Sequence, residues 1–93
     1  MKTIKELVPG KLYKLIKTKN STITLYKTED PNDQTEILNI SIGDTFFCLS
    51  SSKKISIYSE NNNFETKILF KNVSGWISVR EYQMELFLFE EVY

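Results

Sequence analysis

The stretch KILFKNVSGWISVREY, residues 67–82, decides the fold of this chain. It indicates two short strands joined by a tight turn, and the second strand begins with Gly75-Trp76-Ile77. An earlier stretch, LNISIGDTF at residues 38–46, combines β-branched and aromatic residues with turn-forming ones. Together the two stretches predict a small β-barrel.

The rest of the chain repeats this pattern of short strands separated by turn residues, which is typical of an all-β barrel. One helical turn at residues 4–8 ends at Pro9-Gly10. A loop is expected at residues 50–54, and the predicted strands are 11–18, 22–28, 37–42, 45–49, 53–59, 64–71, 75–79 and 84–91. We therefore expect a single domain over residues 1–93, with an N-terminal cap at 1–10 and a barrel at 11–91 that carries an inserted hairpin at about 50–63.

Length and composition indicate the cellular setting. The chain has 93 residues, enough for one core, and a hydrophobic fraction of 41% that is ordinary for a folded domain. The N-terminus lacks the apolar run of a secretory signal, and the longest apolar stretch is far shorter than the ~20 residues of a membrane span. The one cysteine, Cys48, agrees with a reducing compartment. We expect a cytoplasmic protein, and the many Lys, Asn and Ile residues suggest a low-GC bacterium or its phage, which would act in the host cytoplasm.

Twelve basic and twelve acidic residues cancel in number but are sorted along the chain. Seven lysines lie in the first 27 residues beside one acid, Glu6, whereas acids concentrate at residues 29–36 and 81–91. Because the first and last strands of a small barrel commonly lie together, we expect these charges to neutralise each other. The alternative is a basic patch for nucleic acid, which would need a field that neighbouring acids do not cancel.

These motifs resemble those of Src-homology-3 (SH3) domains over about residues 11–90. Leu12-Tyr13 precedes a long acidic loop, Gly43-Asp44 matches the family's diverging turn, and residues 72–78 match its distal hairpin with Gly-aromatic-Ile. The resemblance implies a single small SH3-like barrel.

The family's ligand groove is only partly matched. Its groove residues Trp, Pro and Tyr fall on Glu65, Ser78 and Glu81 in this chain. Polyproline recognition depends on a groove of stacked aromatic side chains, so the resemblance carries over the architecture rather than that ligand.

Catalytic, metal and cofactor chemistry find no support in the residue types. The chain has no histidine, which removes Ser-His and Cys-His nucleophile pairs. Cys48 alternates in phase with Phe46 and is expected in the core. One cysteine without histidine cannot make a zinc site, the acidic loop lacks the spacing of a calcium loop, and no glycine motif for phosphate is present. We predict a protein that is not an enzyme and binds no cofactor or metal.

Aromatic residues are the remaining candidates for function. The favoured hypothesis is a protein-interaction module, an accessory or inhibitory protein of a phage or other mobile element, that binds a partner protein through Tyr13, Trp76, Tyr82 and Phe87. The alternative is a nucleic-acid-binding barrel that uses Lys11, Lys14, Lys17 and Lys19, with base stacking by Tyr13 or Tyr26.

The last predicted strand is apolar on both faces. Met84, Leu86 and Leu88 occupy one phase, while Phe87 and Phe89 occupy the other. A small barrel has one interior, so the second face must be covered by the N-terminal segment, by the insertion or by another molecule. Covering by the same chain is preferred, and a homodimer or partner contact is the alternative.

Overall fold

The computed structural model describes residues 1–30, 32–55 and 62–93. One antiparallel sheet with strand order β3-β2-β6-β5-β4-β1-β7 curls around a single core, which confirms a small all-β fold. The strands are β1 (Leu12–Lys17), β2 (Thr22–Tyr26), β3 (Glu36–Ser41), β4 (Thr45–Ile55), β5 (Asn62–Phe70), β6 (Val73–Arg80) and β7 (Leu88–Val92). A first 3₁₀ helix, Ile4–Glu6, precedes β1, and a second, Glu81–Leu86, precedes β7.

The hairpin of β5 and β6 forms as the sequence predicts. Lys71 and Asn72 both have positive φ angles, 49° and 63°, and Phe70 pairs with Val73 on either side of them. Two consecutive left-handed residues match the right-handed twist of the flanking strands, which is why this type of two-residue turn favours Asn. The turn therefore sets the register of the whole hairpin, including Lys67 opposite Trp76.

The core lies on the inner face of the sheet, where alternate residues of each strand point inward. Ile68 of β5 and Ile77 of β6 are fully buried, as are Phe46 and Cys48 of β4. The Phe46 ring meets the ring of Phe89 edge to face at 5.6 Å between centroids. Burial of Cys48 confirms its predicted place in the core.

The N-terminal segment packs against the core, and its 3₁₀ turn at Ile4–Glu6 confirms the predicted short helical turn. The Glu6 carboxylate accepts a hydrogen bond from the Thr3 backbone N–H at 2.9 Å. Ile4 and Leu7 of this segment are buried, and Lys2 forms a β-bridge with Phe89.

The predicted loop at residues 50–54 is wrong, because β4 continues through these residues to Ile55. Their polar composition resembles a loop, yet each of Ser50 to Ile55 has a partner in β5, with a register shift between Cys48 and Ser50. Of the expected inserted hairpin at about 50–63, residues 50–55 and 62–63 belong to the paired strands β4 and β5, and residues 56–61 lie outside the described residues. Of the predicted strand 53–59, residues 56–59 lie outside the described residues.

The predicted strand 84–91 is wrong in its first half. Residues 84–86 belong to the second 3₁₀ helix, and β7 starts at Leu88. Met84 and Phe87 pack against the core as partly buried residues, so the helix explains why apolar residues occupy both phases. Within the described residues, neither helix approaches the length and apolar character of a membrane-spanning segment.

Candidate functional site

A cleft of about 280 Å³ lies on the outer face of the sheet. One wall is the loop between β2 and β3, the floor is formed by the outward residues of β5 and β6, and the far wall is the end of the second 3₁₀ helix. Three segments far apart in sequence therefore meet at this site.

Aromatic side chains from three elements line the cleft: Tyr26, Trp76 and Phe87. Tyr26 of β2 pairs directly with Trp76 of β6, and both side chains are half-buried. Because alternate residues of β6 face opposite sides, buried Ile77 fixes Trp76 on the outer face. The site thus offers apolar rings that are held by strands rather than by loops.

Gly75 is the reason that β2 can approach β6 so closely. A Cβ atom at this position would lie 2.6 Å from Cγ of Leu25 and 2.8 Å from the backbone oxygen of Tyr26. Gly75 and Trp76 therefore have different roles. The missing side chain of Gly75 lets β2 pack against β6, and Trp76 faces the cleft next to it.

Acidic residues dominate the charged part of the lining. Among the described residues that line the cleft, four carboxylates, Glu29, Asp30, Asp33 and Glu65, meet one guanidinium, Arg80. Glu65 lies on the floor and is only 5% exposed.

Hydrogen bonds within the β2–β3 loop hold its carboxylates in place. Asp33 accepts bonds from the Thr35 hydroxyl at 2.6 Å and the Thr35 N–H at 3.2 Å, and these bonds lower the pKa of the Asp33 carboxyl. The Asn32 N–H donates to Asp30 at 2.9 Å. The acidic wall thus contains carboxylates that accept hydrogen bonds from backbone and side-chain donors of the same loop.

The predicted partner-binding residues do not form one surface. Trp76 and Phe87 line the cleft together, whereas Tyr82 is 64% exposed and lies outside the lining. The prediction for Tyr13 is wrong, because this residue is fully buried against Phe46 and its hydroxyl accepts a hydrogen bond from the Val8 N–H at 2.9 Å. Tyr13 cannot contact a partner or stack on a base in this structure.

The lysines of the alternative hypothesis lie along β1, next to the acidic last strand. The Lys11 ammonium is 2.9 Å from a Glu91 carboxylate oxygen, and Lys14 pairs in register with Glu90. The hydrogen bond between Lys11 and Glu91 raises the pKa of the lysine and lowers the pKa of the carboxyl. The first and last strands lie together as predicted, and Lys11 is paired with Glu91, while Lys17 and Lys19 are exposed at the end of β1.

The described residues offer little support for nucleophilic catalysis or metal binding. The Cys48 thiol is buried, and this burial raises its pKa, which disfavours the nucleophilic thiolate. Within residues 1–30, 32–55 and 62–93, no group of three or more Cys, Asp and Glu side chains could hold a metal ion.

Sequence reasoning missed Glu65, Arg80 and the loop acids as residues of one site. One signal was available: with the hairpin register known, Glu65 falls opposite Ser78, two residues from Trp76 on the same face. The acidic residues of the β2–β3 loop carried no such signal, because their position depends on the pairing of β2 with β6.

Comparisons with known proteins find no match: no family model fits this sequence, and no curated protein or solved structure is significantly similar to it.

Proposed function

We propose that this protein is a non-catalytic interaction module that binds a segment of a partner protein in the cleft. The observation that carries the proposal is the meeting of Tyr26, Trp76 and Phe87 in one concave site on the outer face of the sheet. Binding sites commonly combine apolar and aromatic rings with a few polar groups, and aromatic residues supply much of the energy of protein interfaces. The thiol of Cys48, which the sequence offers as a candidate nucleophile, is buried in the core.

We further propose that the barrel is SH3-like. Three features support this assignment: the acidic residues between β2 and β3, the β5–β6 hairpin with Gly75-Trp76-Ile77 in its second strand, and the turn at Gly43-Asp44. Gly43 has a φ of 94°, and Asp44 accepts a hydrogen bond from the Ser41 N–H at 2.8 Å. The composition suggests an accessory or inhibitory protein of a phage that acts in the host cytoplasm, where a small barrel can occlude a partner's working surface.

Binding to nucleic acid and homodimer formation receive less support. Lys11 and Lys14 face acids of β7, which reduces the field available to phosphate. Of the five apolar residues that suggested a dimer, Phe89 is buried and Met84 and Phe87 pack against the chain's own core, whereas Leu86 is exposed. A protein partner at the cleft is therefore the proposal we favour.

Affinity capture from host-cell lysate tests the proposal with a matched pair of variants. Trp76→Ala removes the central ring of the cleft, whereas Tyr82→Ser removes an exposed aromatic side chain outside it. We expect Trp76→Ala to reduce the captured partner at least about tenfold, within the range of interface hot spots. Tyr82→Ser should capture as well as the wild type.

Circular dichroism melting of both variants shows whether each is folded, and Trp76→Phe should recover part of the capture. Undiminished capture by folded Trp76→Ala, or equal loss in both variants, would contradict the cleft as the binding site.

A further inference from the structure

A row of apolar side chains crosses the outer face of the sheet, outside the lining of the cleft. Leu12 pairs with Val92 on one side and with Phe47 on the other, and Phe47 pairs with Leu69. One row therefore runs across the four adjacent strands β7, β1, β4 and β5. Residues paired across strands share a face, and the row faces outward because Phe46, next to Phe47, is buried in the core.

Much of this row is in contact with solvent. Leu12 is 37% exposed and Leu69 is 39% exposed, while Phe47 and Val92 are half-buried. Leu49, two residues beyond Phe47 on β4, is also 37% exposed. Single exposed leucines are ordinary on protein surfaces, whereas contiguous apolar patches mark interaction sites. These five residues form one such patch, the apolar strip.

Polar residues border the apolar strip on both sides. Lys14 of β1 pairs with Thr45 of β4 on one side, and Ser50 of β4 pairs with Lys67 of β5 on the other. Rows on one face of a sheet are about 7 Å apart, so the strip is narrow. A second copy packed face to face would bury the lysines of both borders, because stacked sheets contact each other over several rows.

The strands beneath the apolar strip already have their hydrogen-bonding partners. In the order of the sheet, β1, β4 and β5 each have a neighbouring strand on both sides. An extended segment laid across this face would therefore bury its own N–H and C=O groups without partners. An α-helix satisfies these groups internally and presents only side chains to the surface.

The spacing of the apolar strip also matches a helix. Neighbouring strands lie about 4.8 Å apart, and an α-helix rises about 5.4 Å per turn. A helix that crosses the strands thus places about one apolar side chain of an amphipathic face over each strand, and four strands take about three turns. The two helices that the structure describes have three and six residues, so a second copy supplies no such helix from these residues.

We propose that the apolar strip is a docking site for an amphipathic α-helix of a partner protein. The row from Val92 to Leu69 takes the apolar face of the helix, and Lys14 and Lys67 lie along its two flanks. Because the strip lies outside the cleft, this inference goes beyond the proposed function and does not depend on it.

Calorimetric titration with designed peptides tests the docking site. The probe is a synthetic peptide of about 18 alanine, glutamine and glutamate residues with four leucines at i, i+4, i+7 and i+11, which share one helix face. The matched peptide has the same composition and charge, but its leucines are spread around the helix. We expect the amphipathic peptide to bind at least about tenfold more tightly, because only its leucines can all contact the strip together.

Variants locate the bound peptide. Leu69→Gln and Leu12→Gln each place a polar side chain in the apolar strip and should weaken binding of the amphipathic peptide several-fold. Ile42→Gln makes a similar change at a residue that is 56% exposed outside the strip, and it should leave the affinity unchanged. Trp76→Ala should also leave it unchanged, because Trp76 lines the cleft. Circular dichroism melting shows whether each variant is folded.

Equal affinity for the two peptides, or no binding of the amphipathic peptide, would overturn the inference. So would normal binding by the folded Leu69→Gln and Leu12→Gln variants, or a loss in Trp76→Ala alone, which would place the peptide in the cleft. Sedimentation velocity tests the other occupant of the strip. A wild-type dimer that dissociates in Leu69→Gln would assign the strip to a second copy of the chain and would likewise overturn the inference.

Discussion

The β1–β7 edge of the sheet and the cleft differ in how their charged residues are arranged. Along β1 and β7, lysines and glutamates lie side by side, with the Lys11 ammonium 2.9 Å from Glu91 and Lys14 in register with Glu90. In the cleft, four carboxylates of the described lining face a single guanidinium, that of Arg80. Among the described residues, the β1–β7 edge therefore carries an ion pair between neighbouring strands, whereas the charged residues that line the cleft are mostly acidic.

This difference indicates which of the two regions could contribute more free energy to partner binding. A single ion pair within reach of solvent, such as Lys11 with Glu91, contributes little to stability. The cleft presents aromatic rings held by strands, so a partner segment that packs on them would gain apolar contact there. Three further substitutions break or sharpen the comparison, one by disrupting the cleft side and two by testing the β1 side.

The largest effect is expected from Gly75→Ala, which disrupts the packing of β2 against β6 beside the cleft. The new methyl group would lie 2.8 Å from the backbone oxygen of Tyr26 and 2.6 Å from Cγ of Leu25, so β2 must move away from β6. Overpacking of this kind costs about 3 kcal/mol in the free energy of unfolding. Urea unfolding followed by Trp76 fluorescence measures the loss.

Ser74→Ala is the matched control for this prediction. Ser74 neighbours Gly75 on β6 but is exposed, so its loss should change the free energy of unfolding by less than about 0.5 kcal/mol. Equal stabilities of Gly75→Ala and Ser74→Ala would show that β2 does not approach β6 as closely as the structure indicates.

A smaller effect is expected from Tyr13→Phe on β1. The substitution removes the hydroxyl that accepts a hydrogen bond from the Val8 N–H but keeps the buried ring. The free energy of unfolding should fall by about 1 kcal/mol, as for the loss of one partly buried hydrogen bond. Tyr82→Phe, at an exposed position, should be neutral.

Partner capture by folded Tyr13→Phe should equal that of the wild type, because Tyr13 is buried in the core and does not line the cleft. Reduced capture at unchanged stability would return Tyr13 to the list of contact residues and contradict its burial.

Sequence reasoning predicted the hairpin of β5 and β6 because its signals are local. Alternation sets the strands, and Asn72 suits the left-handed turn. It failed in two places. The polar residues 50–54 form a strand because β5 provides hydrogen-bonding partners for them, so tertiary contacts override intrinsic preference there. Met84 to Leu86 form a 3₁₀ helix because they are good helix formers, although their apolar residues continue the alternation of the last strand.

The candidate site was predictable only in part, for the same reason. Trp76 and Phe87 were identified from their phase and aromatic character, but Tyr13 was assigned to the surface. A period of two residues places alternate side chains on opposite faces without saying which face is inner. For β1 that choice depends on Phe46 and Val8, which contact Tyr13 in the folded chain.

The smallest effect is expected from Glu91→Gln, which breaks the paired side. In the folded protein the hydrogen bonds from Lys11 and Tyr93 lower the pKa of Glu91 below its ordinary value. A carboxyl whose folded pKa is lowered stabilises the protein above its unfolded pKa, and this contribution disappears as the pH falls through the folded pKa.

The wild type should therefore have a slightly higher melting temperature than Glu91→Gln at pH 7, and this gap in melting temperature should close between about pH 5 and pH 3. Added salt should narrow it as well, because the Lys11 side chain is half-exposed to solvent. Glu90→Gln, which removes an acid that forms no ion pair with the described residues, should show a smaller gap at pH 7. A gap for Glu91→Gln that persists unchanged at pH 3 would mean that packing, rather than charge pairing, distinguishes this side of the sheet from the cleft.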